Sequence, residues 1–169
     1  TATLALKVAE EELGTLKDKK VLIIGATGKI GGIVLMNLES LHQADIYVTT
    51  RKNKLINTKH GNDDFTTIDY EDRYNYLDQM DVVISATSSP HYTLTYSKMK
   101  KQLVTAKRRV FVDLAVPMDI EAKISAVDDT CYYNIDDFTR IAKENNQKKL
   151  REAEAASGIL DEYELQFEQ

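Results

Sequence analysis

Gly25-Ala26-Thr27-Gly28-Lys29-Ile30-Gly31-Gly32 follows directly on the apolar run Val21-Leu22-Ile23-Ile24. A glycine-rich turn between a strand and a helix is the arrangement that holds a pyrophosphate on backbone amides. Gly25 lets the chain leave the strand sharply. Gly28 lets the backbone approach a phosphate with no Cβ in the way. Gly31 or Gly32 lets the following helix pack closely. The N–H groups at the helix start have no partner within the helix, and the helix dipole adds to their attraction for an anion. Gly25, Ala26, Thr27, Gly28, Lys29, Ile30 and Gly31 are therefore the expected phosphate-binding residues. Their spacing, Gly-x-x-Gly-x-x-Gly, is one residue longer than the Gly-x-Gly-x-x-Gly fingerprint. The competing reading is a structural glycine turn beside an empty groove.

The end of the second strand distinguishes dinucleotides. Readers of NAD place Asp or Glu there to accept from the ribose 2′-hydroxyl. Here the chain reads Thr49-Thr50-Arg51-Lys52-Asn53, with no carboxylate at the tip. Arg51 can fork onto a 2′-phosphate, Lys52 adds charge, and Thr50 or Asn53 can donate a hydrogen bond. NADPH is thus expected in preference to NADH, against the bland reading of a solvated basic pair. Two further segments end strands with small residues: Ser85-Ala86-Thr87-Ser88-Ser89-Pro90-His91 and Asp113-Leu114-Ala115-Val116-Pro117. Both lie at strand C-termini, outside which such sheets hold ligands. Ser85, Ala86, Thr87 and Ser88, with Ala115, Val116 and Pro117, are expected at the nicotinamide end, the alternative being that both segments are plain connectors. His91 is a weak acid–base candidate beside them. Cys131 reads as a small buried hydrophobe rather than a nucleophile. His42 and His60 have no companions at metal-ligand spacing, so no metal site is expected.

Positioning these residues requires a sheet. Strands are expected at Val21–Ile24, Ile46–Thr50, Phe65–Ile68, Val82–Ala86, Val110–Leu114 and Thr130–Tyr133. Between them the pattern predicts helices at Lys29–Leu41, Arg73–Gln79 (weakly), Tyr96–Leu103 and Ile120–Ala126. The alternation predicts an α/β fold, a doubly wound parallel sheet covered on both faces, because continuous apolar strands suit burial on two sides. Leu4, Leu6, Val8, Ala9 and Leu13 predict a short leading helix closing at Gly14. Beyond residue 134, Ile135, Phe138, Ala142, Leu150, Ala153, Leu160, Tyr163 and Phe167 recur at helical spacing, predicting one long helix with an interruption near Gly158. The expected division is a nucleotide-binding domain over 1–134, leading helix 1–13 included, and a long helix over 135–169. That helix reads as a strut towards another domain or subunit, and both ends read as cuts through a larger protein.

The 169 residues suffice for one core, with 43% hydrophobic and 29% charged residues. The net charge of −5 argues against the chain by itself holding a phosphodiester backbone. No apolar run approaches the ~20 residues needed to cross a bilayer. No signal segment is evident, and a single cysteine allows no internal disulfide, so a cytoplasmic location is expected.

Three segments together resemble a known family: Lys19-Lys20-Val21-Leu22-Ile23-Ile24-Gly25-Ala26, Asp81-Val82-Val83-Ile84-Ser85-Ala86-Thr87-Ser88-Ser89-Pro90-His91, and Val110-Phe111-Val112-Asp113-Leu114-Ala115-Val116-Pro117-Met118-Asp119-Ile120. Followed by Tyr133-Asn134-Ile135-Asp136-Asp137-Phe138, they are similar to the NADPH-binding middle domain of the glutamyl-tRNA reductase family. The resemblance implies a Rossmann-like fold and hydride delivery from NADPH to a glutamyl thioester, giving glutamate-1-semialdehyde for tetrapyrrole synthesis. It implies a homodimer built by a further helical domain, and contact with glutamyl-tRNA only through a separate catalytic cysteine domain, which this chain lacks. Passage of the product to the next enzyme of the pathway is a further implication. The family's glycine turn is usually one residue shorter than the turn here. Two other readings stand beside it: the cofactor domain of a shikimate dehydrogenase-like enzyme, and a non-catalytic NADP-sensing or scaffold module.

Overall fold

A computed structural model describes residues 1–51 and 64–168, with side chains to residue 156. Among the described residues, six strands form one parallel sheet in the order β3-β2-β1-β4-β5-β6. They are β1 (Lys20–Ile24), β2 (Asp45–Thr50), β3 (Phe65–Asp69), β4 (Val82–Ser85), β5 (Arg109–Asp113) and β6 (Thr130–Tyr133). The order runs outward from β1 in one direction and then from β4 in the other, so the chain reverses between β1 and β4. This is the doubly wound Rossmann arrangement, and its crevice opens at that reversal.

Burial explains the strand sequences. β4 and β5 are buried at every position and β1 at all but its first residue, hence the apolar runs Val21–Ile24, Val82–Ile84 and Val110–Val112. At one edge, β3 keeps only Ile68 buried, and its sequence is correspondingly polar. One core cluster gathers Leu22, Ile24, Val83 and Phe111 with Leu77, Met80, Leu94 and Met99. Helices α1 (Ala2–Leu13) and α2 (Lys29–Leu41) pack on one another, and α3 (Tyr96–Gln102) packs on two 3₁₀ segments, Tyr70–Gln79 and Ala122–Ala126. The segments expected as α-helices at Arg73–Gln79 and Ile120–Ala126 are therefore 3₁₀. Tyr70–Gln79 has a single fully buried side chain, Leu77, too little for an amphipathic α-helical face. α1 ends at Gly14 with φ +82°, the left-handed closure its glycine suggested.

The chain divides into two compact units, one of residues Thr1–Ile135 and a second from Asp136 onward. Helix α4 (Ile135–Glu168) continues through Gly158, where an interruption was expected.

Helix α1 is fastened to the sheet by one carboxylate. Glu12 accepts from the Tyr133 hydroxyl at 2.7 Å, from Cys131 Sγ at 3.1 Å, and from the Arg108 guanidinium. Those three donors hold the Glu12 carboxyl down to about 2. Burial, and then Glu12 itself, pushes the Cys131 thiol up to about 11. Cys131, expected as a small buried hydrophobe, is half-buried and hydrogen-bonded. Because the folded value of Glu12 lies below the ordinary one of 4.5, its contribution is complete above that pH and fades as pH falls towards 2. Glu12→Gln should cost about 1–2 kcal/mol in urea unfolding at pH 7, after discounting for partial solvent screening, and close to nothing at pH 2. An equal cost at both pH values would show that charge is not what fastens α1.

Candidate functional site at the carboxyl edge of the sheet

Above the carboxyl ends of β1, β2, β4 and β5 lies a cleft of about 620 Å³. The glycine turn forms one wall. Gly25 has φ +90°, and a Cβ there would stand 2.7 Å from the Ala86 carbonyl oxygen. The constraint at Gly31 is tighter, since its Cβ would stand 2.0 Å from the Gly25 carbonyl oxygen. At Gly32 the same test finds only an ordinary 3.5 Å contact. Gly31 is therefore the residue of close approach, and it approaches the turn itself. The Gly28 N–H donates to the Gly25 carbonyl at 3.0 Å and closes the turn. Helix α2 follows at once, so its first amides are presented beside the cleft. This is a backbone cradle that side chains would fill, and it fits a pyrophosphate.

Gly25, Thr27, Gly28, Lys29 and Ile30 line the cleft, whereas Ala26 and Gly31 are buried behind it. Thr50 and Arg51 line the far end, and among the described residues no carboxylate lines the cleft. Lys52 and Asn53 lie outside the described residues. Ala86, Thr87 and Ser88 line the opposite end with Ala115 and Val116. Ser85 and Pro117 do not. The Ser85 hydroxyl is fully buried beneath the floor, donating to Asp119 Oδ2 at 2.7 Å. His91 is exposed and is not part of the lining. His42 ends α2 in the left-handed region at φ +49°, and His60 lies outside the described residues. Among the described residues, no group of three metal-ligating side chains is placed to hold a metal.

Two features escaped the sequence reading. Tyr70, the first residue after β3, lines the cleft beside Arg51. Beneath the other end, two fully buried carboxylates, Asp113 and Asp119, tie the β4 and β5 loops together. Asp119 Oδ2 accepts from Ser85 Oγ and, at 2.8 Å, from the Thr87 N–H, and its Oδ1 accepts from Thr87 Oγ1 at 2.6 Å. Asp113 accepts from the N–H groups of Ala115, Asp119 and Ile120 at 2.8–3.0 Å. Burial, reinforced by the neighbouring Asp119, pushes the Asp113 carboxyl up to about 6. The folded chain thus keeps that proton in the window where the unfolded chain has released it. Ionising Asp113 lowers stability as pH rises from about 4 to about 6. The sequence signal was there: Asp113 and Asp119 interrupt the apolar stretch Val110–Ile120, and buried charges require partners.

Known proteins resemble the chain in sequence and fold. A glutamyl-tRNA reductase from Clostridium novyi is 34% identical over 168 residues, covering 98% of this chain and 40% of the relative. One from Methanothrix thermoacetophila is 32% identical, covering 94% and 38%. Among solved structures, the glutamyl-tRNA reductase from Methanopyrus kandleri superposes with a TM-score of 0.73 at 26% identity, covering 90% of this chain and 39% of that one. The nucleotide-binding domain of the Thermoplasma volcanium enzyme shares the fold, with a TM-score of 0.58 at 20% identity and coverage of 89% and 95%. The chain spans about two fifths of the length of these curated relatives. A sequence model described as "Shikimate / quinate 5-dehydrogenase" matches residues 7–141, so the chain belongs to that family, and within it resembles the nucleotide-binding part of glutamyl-tRNA reductases.

Proposed function

We propose that residues 1–134 are the NADPH-binding domain of a glutamyl-tRNA reductase, and that the helix from residue 135 leads to a dimerisation domain of the longer protein. What supports this reading is the cleft, with a side-chain-free glycine cradle at one wall and Arg51 at the far end, where no described carboxylate lines the cleft. The amides of the Gly25–Gly31 turn hold the pyrophosphate. Thr50, Arg51 and Lys52 recognise the 2′-phosphate, and Ala86–Ser88 with Ala115 and Val116 flank the nicotinamide. Asp119 holds Thr87 in place for that contact from below. When bound, NADPH supplies a hydride to the acyl carbon of a glutamyl thioester. The thiol and the tRNA-binding surface belong to a part of the protein outside this chain. The domain's own residues bind and orient, with no acid–base role assigned to them.

No helix among the described residues is long and apolar enough to cross a membrane. Homodimerisation, contact with glutamyl-tRNA through the catalytic domain, and passage of the aldehyde to the next enzyme belong to the same proposal.

Titration calorimetry with the two reduced nucleotides tests the cofactor. NADPH should bind at least about tenfold more tightly than NADH, the yield of one charge-assisted, bidentate contact, and Arg51→Glu should reverse the order. Equal affinities, or a preference untouched by Arg51→Glu, would overturn the assignment.

A further inference from the structure

Arg51 directly follows β2 as an exposed side chain on a flexible stem, and a free arginine gives up much rotamer freedom when it is fixed on a ligand. In this fold it is not free. Its guanidinium carbon lies 4.2 Å from the centroid of the Tyr70 ring. We infer that Tyr70 is a positioning residue that determines dinucleotide specificity: its ring holds Arg51 at the cleft rim, ready for a 2′-phosphate. The inference rests on the NADPH reading above and adds to it a residue that never touches the phosphate.

The ring is suited to the task because it is itself anchored. Tyr70 is half-buried, packs against the core, and opens the 3₁₀ segment that Asp69 caps by accepting from the Glu71 N–H at 3.0 Å. A second guanidinium, that of Arg73, lies 4.0 Å from the same ring. Arg73 is locked: its Nε donates to the Thr93 carbonyl at 2.7 Å and its Nη1 to the Tyr70 carbonyl at 3.0 Å. One aromatic ring thus carries two cations. Asp69, Glu71 and Asp72 are close in sequence, yet among the described residues no carboxylate forms an ion pair with Arg51 or Arg73. Two like charges on one ring repel, and attraction to the π face only partly offsets this. A dianion arriving at the rim removes the imbalance. A ribose 2′-phosphate carries that charge, and a 2′-hydroxyl does not.

The alternative role for Tyr70, a platform on which adenine stacks, makes a different prediction, because NADH and NADPH share the adenine. Calorimetric titration of the chain with both nucleotides separates the two. Tyr70→Leu keeps apolar packing and removes the π face. It should weaken NADPH binding about three- to tenfold, the scale of a cation–π contact plus the rotamer freedom restored to the arginine, and leave NADH within about twofold. Tyr70→Phe should behave as wild type, since the face and not the hydroxyl acts. Adding Tyr70→Leu to Arg51→Ala should change nothing further. Equal weakening of both nucleotides, or full additivity with Arg51→Ala, overturns the positioning role. Equal binding of NADPH and NADH by the wild-type chain overturns the cofactor reading and this inference with it. An NADPH-to-NADH affinity ratio left unchanged by Tyr70→Leu overturns this inference alone.

Discussion

Gly31→Ala should abolish useful nucleotide affinity while costing about 2–3 kcal/mol of stability, the upper part of the range for overpacking a tight site. The new methyl group would stand 2.0 Å from the Gly25 oxygen, 2.6 Å from the Gly25 carbonyl carbon and 3.1 Å from the Ala26 Cα. All three are backbone atoms of the turn, so no rotamer change relieves the clash. Helix α2 must retreat from the turn by more than an ångström. Amides moved that far no longer reach a phosphate oxygen at ~2.9 Å. Two charge-assisted bonds lost correspond to about 3 kcal/mol or more, a fall of at least roughly 100-fold in affinity. Gly32→Ala is the matched control. Its methyl group meets only the Ala26 oxygen at 3.5 Å, and alanine is the better helix former by ~1 kcal/mol. That variant should bind as wild type and melt no lower. If both variants behave alike in calorimetry and thermal melts, the close approach at Gly31 is not what shapes the cradle.

The largest loss of stability is expected at Asp119. Asp119→Ala removes the carboxylate acceptor of the Ser85 hydroxyl, the Thr87 N–H and the Thr87 hydroxyl at once, and leaves the fully buried Ser85 hydroxyl only Thr93 Oγ1 at 3.1 Å. Unsatisfied buried donors cost ~1–3 kcal/mol each, partly recovered if water enters, so about 3–5 kcal/mol is expected in urea unfolding. Asp119→Asn retains one acceptor but turns an NH₂ towards a donor, and should lose about 2–3 kcal/mol. It also removes the like charge that reinforces the raised Asp113 value, so the decline in stability between pH 4 and pH 6 should become shallower. An Asp119→Ala protein within about 1 kcal/mol of wild type would mean that the two loops are held by something other than this carboxylate.

Those two residues mark what the sequence displays and what it hides. The cradle was legible because its cues are local: an unbroken apolar strand, then glycines, then a helical period. Even so, Gly31 and Gly32 are adjacent and alike in sequence, and only the path of the turn separates the constrained one from the tolerant one. The place of Arg51 on the cleft was legible from its position just after a strand. Tyr70 was not, since its importance depends on β3 lying beside β2, which pairs Thr50 with Asp69. Asp119 acts on Ser85 and Thr87, 34 and 32 residues earlier, and Glu12 on Tyr133, 121 residues later. Partnerships of that range leave no periodic trace. The 3₁₀ run Tyr70–Gln79 was misjudged for a further reason: with one fully buried side chain it has little amphipathic signature to read.

The pairing of β1 with β4 joins residues about sixty positions apart, and Lys20 and Asp81 clasp at its start, the N–H of each donating to an oxygen of the other at 2.8 Å. The floor of the crevice therefore does not exist until distant stretches of polypeptide have met. A dinucleotide resting on that floor rewards only the finished tertiary structure, adding about 2.7 kcal/mol to it at a hundred times its dissociation constant. Through that single junction, the survival of the whole domain against unfolding and proteolysis becomes tied to the supply of its small-molecule ligand.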